Sequence, residues 1–258
     1  MNYYFLLEDE KSFLKVLPYW LEHIGFPCRR VASIMDVHNN HYVLQSGQGV
    51  VQLVTKVLYE TIETIKQNPK KIDKLVVVLD AEEKQAETRK QEVLNKIQEK
   101  YVLEQLDFVI QIFVCNRCFE TWLLGCEGIY PKDVESASFF YEYYSHYNIE
   151  QNDPEQMLIP TERDESIAHY HFMYLHEMFR YKRIRYNKKK PEYVASASYL
   201  EGMRKRIENT EHLHSFKEFI DFILNEIKLM KESVVDDRKE IEYLGLTVEE
   251  VTELAEEK

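Results

Sequence analysis

The chain has 258 residues, 45% of them hydrophobic and 13% aromatic, with a formal net charge of −12. That apolar content can bury a real core and argues against wholesale disorder, while the negative balance argues against passive, sequence-blind binding to nucleic acid without excluding a local basic patch. Seven glycines, with no G-x-G-x-x-G and no G-x-x-x-x-G-K-[ST], set aside dinucleotide and P-loop sites.

Residues 2–8 read as a first strand that ends in Glu8, Asp9 and Glu10. Apolar residues at 13, 14, 16, 17, 20, 21 and 24 then mark a helical face stopped by Gly25 and Pro27, with Pro18 predicting a kink or break. Residues 26–44 are ambiguous: 29–35 suits a second strand, and His38–His41 looks like a turn. Gly47 and Gly49 lead into a helix over 50–66, ended by Asn68-Pro69. The apolar run Leu75-Val-Val-Val-Leu79 is too short for a helix and polar on neither face, so 74–80 reads as a strand buried on both sides of a parallel sheet. A polar helix over about 84–101 follows, then a strand at 108–114, with Asn116 placed to cap a helix over 117–124. Strands alternating with helices at this spacing predict βαβ units and an α/β fold with a mostly parallel sheet flanked by helices. After about residue 130 the alternation stops. Helices are expected near 139–144, 167–183, 196–208, 215–231 and 247–257, the last opened by Thr247-Val-Glu-Glu250 with capping-box spacing. The expected organisation is an α/β domain over 1–130 with a helical C-terminal extension, 131–258, packed on it.

No run approaches the roughly 18 apolar residues of a membrane span, and the N-terminus lacks a signal-peptide pattern. Four cysteines (28, 115, 118 and 126) suit reduced thiols better than a disulfide framework, so a cytoplasmic location is expected.

Chemistry is expected where the strands end. Ligands of open α/β sheets gather beyond the carboxyl ends of strands. Glu8, Asp80 and Glu82 would meet there, Asp80 and Glu82 pointing the same way if the extended conformation continues. Together they could hold Mg²⁺ or Mn²⁺, hard cations that take oxygen ligands and bridge to phosphates. Glu10, Glu82 and Glu83 also suit the first turns of helices, where negative charge is favoured. The opening Leu6-Leu-Glu-Asp-Glu10 resembles a two-component receiver domain, but the next acidic strand end comes too late and lacks the Pro and Gly that should follow it.

Residues 180–190 carry seven positive charges in eleven residues: Arg180, Lys182, Arg183, Arg185, Lys188, Lys189 and Lys190, interleaved with Tyr181 and Tyr186. Such a segment suits phosphate backbones with bases stacked on tyrosine, and Arg204-Lys-Arg206 could extend it. The alternative is a solvated loop or a patch docking an acidic partner. Cys115-x-x-Cys118 lacks a second pair or a histidine partner at zinc spacing and reads as buried thiols; His169, His171 and His176 read as ordinary helix histidines.

Glu8 after the first strand, Leu79-Asp-Ala-Glu82 and Cys115-Asn-Arg-Cys-Phe-Glu-Thr-Trp-Leu-Leu124 together resemble the TOPRIM-like nuclease superfamily, in particular the RloB-like, defence-associated proteins of prokaryotes. His212-Leu-His-Ser-Phe216 is similar to their C-terminal part. The resemblance covers most of 1–130 and touches 180–225. It implies a TOPRIM-like sheet and Mg²⁺-dependent cleavage of DNA or RNA in anti-phage defence, alongside an ATPase partner. Glu8 would then be general base or metal ligand, Asp80 and Glu82 the metal-binding pair, and Glu120 a residue orienting the site. The chain departs from the pattern in having Glu82 where aspartate is usual, and no glycine after Glu8. A reading of a different class is a non-catalytic subunit that holds an ATPase or other partner. An oligomer is compatible with either.

Overall fold

The computed structural model describes residues 1–9 and 11–243. Five strands form one sheet, all parallel: β1 (Tyr3–Leu7), β2 (Arg29–Val31), β3 (His41–Ser46), β4 (Lys74–Asp80) and β5 (Val109–Cys115), in the order β2-β3-β1-β4-β5. The period-2 geometry of the strands sorts their side chains between two cores. Tyr3, Phe5 and Leu7 of β1 and Val76 and Val78 of β4 face one side; Tyr4, Leu6, Leu75, Val77 and Leu79 face the other. This is why the five apolar residues of β4 show no polar face: both faces are covered.

Helices α1 (Phe13–His23), α5 (Phe119–Leu124), α7 (Ile167–Tyr181), α8 (Glu192–Ala195), α9 (Ala197–Asn209) and α10 (His214–Tyr243) share the first core. The second is covered by α3 (Leu58–Lys66) and α4 (Ala86–Gln98). A short α6 (Tyr141–His146) adds Tyr143 to the first core. The C-terminal helices therefore bury the same apolar face of the sheet as α1 does.

Several local readings are corrected. Pro18 neither breaks nor ends α1, which runs through it from Phe13 to His23. The turn read at His38–His41 is present, at Asn39 and Asn40, but it leads into an unanticipated strand, β3, which inserts between β2 and β1, and the strand read over 29–35 ends at Val31. The helix after Gly49 begins as α2 (Val50–Gln52) and passes through a π-helical turn, Leu53–Val57, before α3. Cys118, not Asn116, caps α5: its backbone N–H donates to Thr121 Oγ1 at 3.2 Å, while Asn116 N–H donates to Ser215 Oγ. The helix expected at 215–231 runs on to Tyr243; that expected at 247–257 lies outside the described residues.

The topology selects one crevice. From its carboxyl end β1 leads through α1 toward β2 on one side, whereas β4 leads through α4 toward β5 on the other. Their helices lie on opposite faces, so the ends of neighbouring β1 and β4 form a topological switch point. Glu8 and Asp80 stand there.

Candidate active site

A cleft of about 440 Å³ opens at the switch point, lined by Glu8, Asp9, Lys11, Asp80, Glu120 and Lys188, with Gln48, Gly49 and Phe119 completing its walls. Glu8 N–H extends the ladder to Val78 O at 2.9 Å, which places its side chain over the neighbouring strand end. There the carboxylate accepts a 2.6 Å hydrogen bond from Asp80 N–H. Gly49, at φ +90°, lets the incoming chain donate its N–H to Glu8 O at 2.9 Å and start a helix beside it. Burial pushes the Glu8 carboxyl up to about 7 despite the Asp80 and Val50 amides, and the charges of Glu82 and Asp9 push the same way. Asp80 is raised well above the usual carboxylate range by burial, then by Glu8 and Glu120, with Lys188 opposing. The two acids thus crowd each other.

Glu120 reaches the cleft from α5 and is 2% exposed. Its Oε1 has the Lys188 ammonium 2.8 Å away as its counter-charge. Burial disfavours the Lys188 charge, but Glu120 outweighs it and holds the lysine above its ordinary value. Lys188 gets there because Asn187 Oδ1 accepts from the N–H groups of Lys189 and Lys190, at 3.0 and 2.9 Å, folding the chain into a tight turn. The buried Tyr186 hydroxyl has no hydrogen-bond partner among the described residues. Glu120 and Asp9 are the charges that act on it most strongly.

Glu82 is not brought to this cleft. The extended conformation stops at Asp80, and Glu82 takes φ +54°. Its carboxylate turns to Arg89 on α4, 3.2 Å away, and its side chain is 48% exposed. The expectation that Asp80 and Glu82 point the same way fails because it required the strand to continue. Glu83 is a helix cap: its Oε1 accepts from Ile167 N–H at 2.7 Å at the start of α7. Asp9 similarly accepts from Lys11 and Ser12 N–H before α1, while still lining the cleft. Glu10 lies outside the described residues.

The basic segment does not form one face. Arg180 pairs with Glu177 and lies over the Phe139 ring, and Lys182 donates to Gly128 O. Arg183, Arg185, Lys189 and Lys190 are exposed, whereas Lys188 enters the cleft. Tyr186 is buried, and Tyr181 packs beside Phe139 and Phe140, so neither offers a free face for a base. Nor does Arg206 extend the patch: it is 4% exposed and donates to Ile149 O and Asn152 O.

The stretches at 115–124 and 212–216 hold each other. Asn116 N–H and Trp122 Nε1 both donate to Ser215 Oγ, at 3.0 and 2.7 Å, and Trp122 packs on Phe216. Ser215 in turn donates to the buried Glu155. This lattice fixes α5, and through it Glu120. All four cysteines are free and buried.

The sequence reading did not single out Lys11, Gln48 or Gly49 for the cleft, and it placed Lys188 on a surface. The two glycines flanking Gln48 were the available signal.

Among the described residues, no three His, Cys, Asp or Glu side chains converge closely enough to hold a metal ion by themselves. Mg²⁺, however, commonly takes one or two carboxylates and completes its shell with water and substrate phosphate. Glu8 and Asp80 supply that number, and their crowded, half-buried charges are the kind a cation relieves. The donor set fits a hard divalent cation held by two protein ligands, not three. Among the described residues no helix is long and apolar enough to cross a membrane. No protein-family model, curated protein or solved structure matches the chain.

Proposed function

We propose that the switch-point cleft is a metal-assisted phosphodiesterase centre acting on DNA or RNA, in keeping with the TOPRIM-like resemblance and its setting in anti-phage defence. The observation that carries this reading is the meeting of Glu8, Asp80 and Glu120 with Lys188 in one cleft. Carboxylates that repel one another, with only Lys188 paired to one of them, suit a site that receives a cation and then a phosphate. Glu8 and Asp80 would hold Mg²⁺ or Mn²⁺, which supplies charge neutralisation at the scissile phosphate and lowers the pKa of a bound water. Glu8 lines the cleft where the attacking water would sit, and would take that water's proton where it acts as general base rather than as metal ligand. Lys188 and Lys11 flank the cleft and orient the phosphate oxygens. Glu120 holds Lys188 charged and in place.

The test is cleavage of labelled plasmid, single-stranded DNA and total transfer RNA with Mg²⁺ or Mn²⁺. Glu8→Ala and Asp80→Ala should each lose at least about 100-fold, and Glu82→Ala less than about twofold. Mn²⁺ binding by calorimetry should vanish in Asp80→Ala and survive Glu82→Ala. Cleavage that survives both of the first two substitutions would remove the assignment.

The position of Glu82 favours a second reading, a non-catalytic subunit that binds an ATPase or other partner. Wild type that neither cleaves nor binds Mn²⁺ would favour that reading over the enzyme.

A further inference from the structure

A second cavity, of about 370 Å³, adjoins the cleft between α1 and the turn leading into α8. Consecutive residues enter the two: Lys188 lines the cleft and Lys189 lines the second cavity. On the α1 side Lys11 lines the first and Lys15 the second. The two spaces are therefore neighbours along one line.

In a chain of net charge −12, this cavity is locally positive. Lys15, Arg30 and Lys189 line it, against the single carboxylate of Glu192. All four are exposed. Tyr19, 54% exposed, offers a ring beside the apolar walls of Pro18 and Pro191. The walls are held in register. Trp20 Nε1 donates to Val194 O at 3.0 Å, His23 Nε2 meets Ala195 O at 3.1 Å, and Lys15 Nζ donates to Lys189 O at 2.9 Å. Cations spaced around an exposed aromatic ring are the recognition chemistry of a nucleotide in a single strand: phosphate to the cations, base to the ring. A stacked duplex cannot place one base in a recess of this size.

We propose that a single nucleic-acid strand crosses both spaces, with its scissile phosphate in the acid cleft and the adjoining nucleotide in the cavity of Lys15, Tyr19, Arg30 and Lys189. The inference rests on the reading of the cleft as a phosphodiester centre, and it moves recognition away from Tyr181 and Tyr186 to Tyr19.

The experiment is fluorescence anisotropy of a short labelled single-stranded oligonucleotide, DNA and RNA in separate arms, with the full chain in EDTA so that binding is read without cleavage. Lys15→Ala/Arg30→Ala should bind about tenfold more weakly, and the slope of log affinity against log salt should fall by about 1.4 for two lost single-strand phosphate contacts. Tyr19→Ala should weaken binding about tenfold with the salt slope unchanged. Lys96→Ala on α4, over the other face of the sheet, serves as control and should match wild type; circular dichroism checks each fold. Wild-type affinity in both the double variant and Tyr19→Ala overturns the proposal, even if the chain cleaves nucleic acid. Equal affinity for the duplex, or for polyglutamate, overturns it in favour of a general polyanion surface or an acidic protein partner. A strand bound at this cavity but never cleaved by wild type with Mn²⁺ overturns the phosphodiesterase reading and leaves the strand site standing.

Discussion

The two ends of the central sheet treat buried acids in opposite ways. At the amino end, Glu226 of α10 is 2% exposed, yet each of its oxygens is matched: Lys74 Nζ lies 2.6 Å from Oε1, and the Tyr3 hydroxyl donates to Oε2 at 2.7 Å. That arrangement clamps α10 to β1 and β4 and leaves nothing over for a ligand. At the carboxyl end, Glu8, Asp80 and Glu120 share one cleft with the half-buried Lys188 as the counter-charge to Glu120, and two of the acids are pushed toward protonation. Folding alone would not favour that crowding, since unmatched buried charge costs stability. The contrast separates a structural ion pair from a site that waits for charge from outside.

The comparison can be broken by substitution at either end. The largest effect on stability is expected at the paired end. Glu226→Ala strands Lys74 and the Tyr3 hydroxyl and should cost about 3 kcal/mol in urea unfolding; a loss within experimental error would show that the clamp is not structural.

A second, smaller effect sharpens the contrast through pH. His171 is fully buried on α7. Met157 O, 3.0 Å from Nε2, can only accept, so Nε2 carries the proton and Nδ1 accepts from the Thr121 hydroxyl at 2.8 Å. Burial, aided by Arg117, lowers its pKa to about 4. The unfolded chain takes up this proton near pH 6.5, before the folded one does, so stability falls as pH drops from about 6.5 toward 4. The loss attributable to His171 should be about 2 kcal/mol between pH 8 and pH 5. Glu8 acts in the other sense: its folded form keeps a proton up to about pH 7, so its contribution falls as pH rises. Unfolding of wild type and His171→Asn at both pH values isolates the histidine; equal pH slopes in the two would remove this account.

The smallest effect has the opposite sign. Asp80→Asn relieves the repulsion in the cleft and should raise stability by about 1 kcal/mol while abolishing Mn²⁺ binding. A destabilised Asp80→Asn that still binds Mn²⁺ would mean the cleft acids are structural after all.

Patterns of short range were legible in the chain itself. Leu75–Leu79 announces a doubly buried parallel strand because period-2 geometry leaves no polar face when both sides are covered. The strand-end acids Glu8 and Asp80 follow from where apolar runs stop. β3 was obscured because His41, Gln45 and Ser46 break its apolar pattern; neighbours on both sides supply its pairing. What only the tertiary structure decided is which charges meet. Glu82 leaves the site through one positive φ, Lys188 enters it through a turn made by Asn187, and Glu120 is aimed by a lattice reaching to Ser215 and Glu155. Sequence spacing specifies local geometry; the direction of a side chain after a turn depends on contacts from residues scores of positions away.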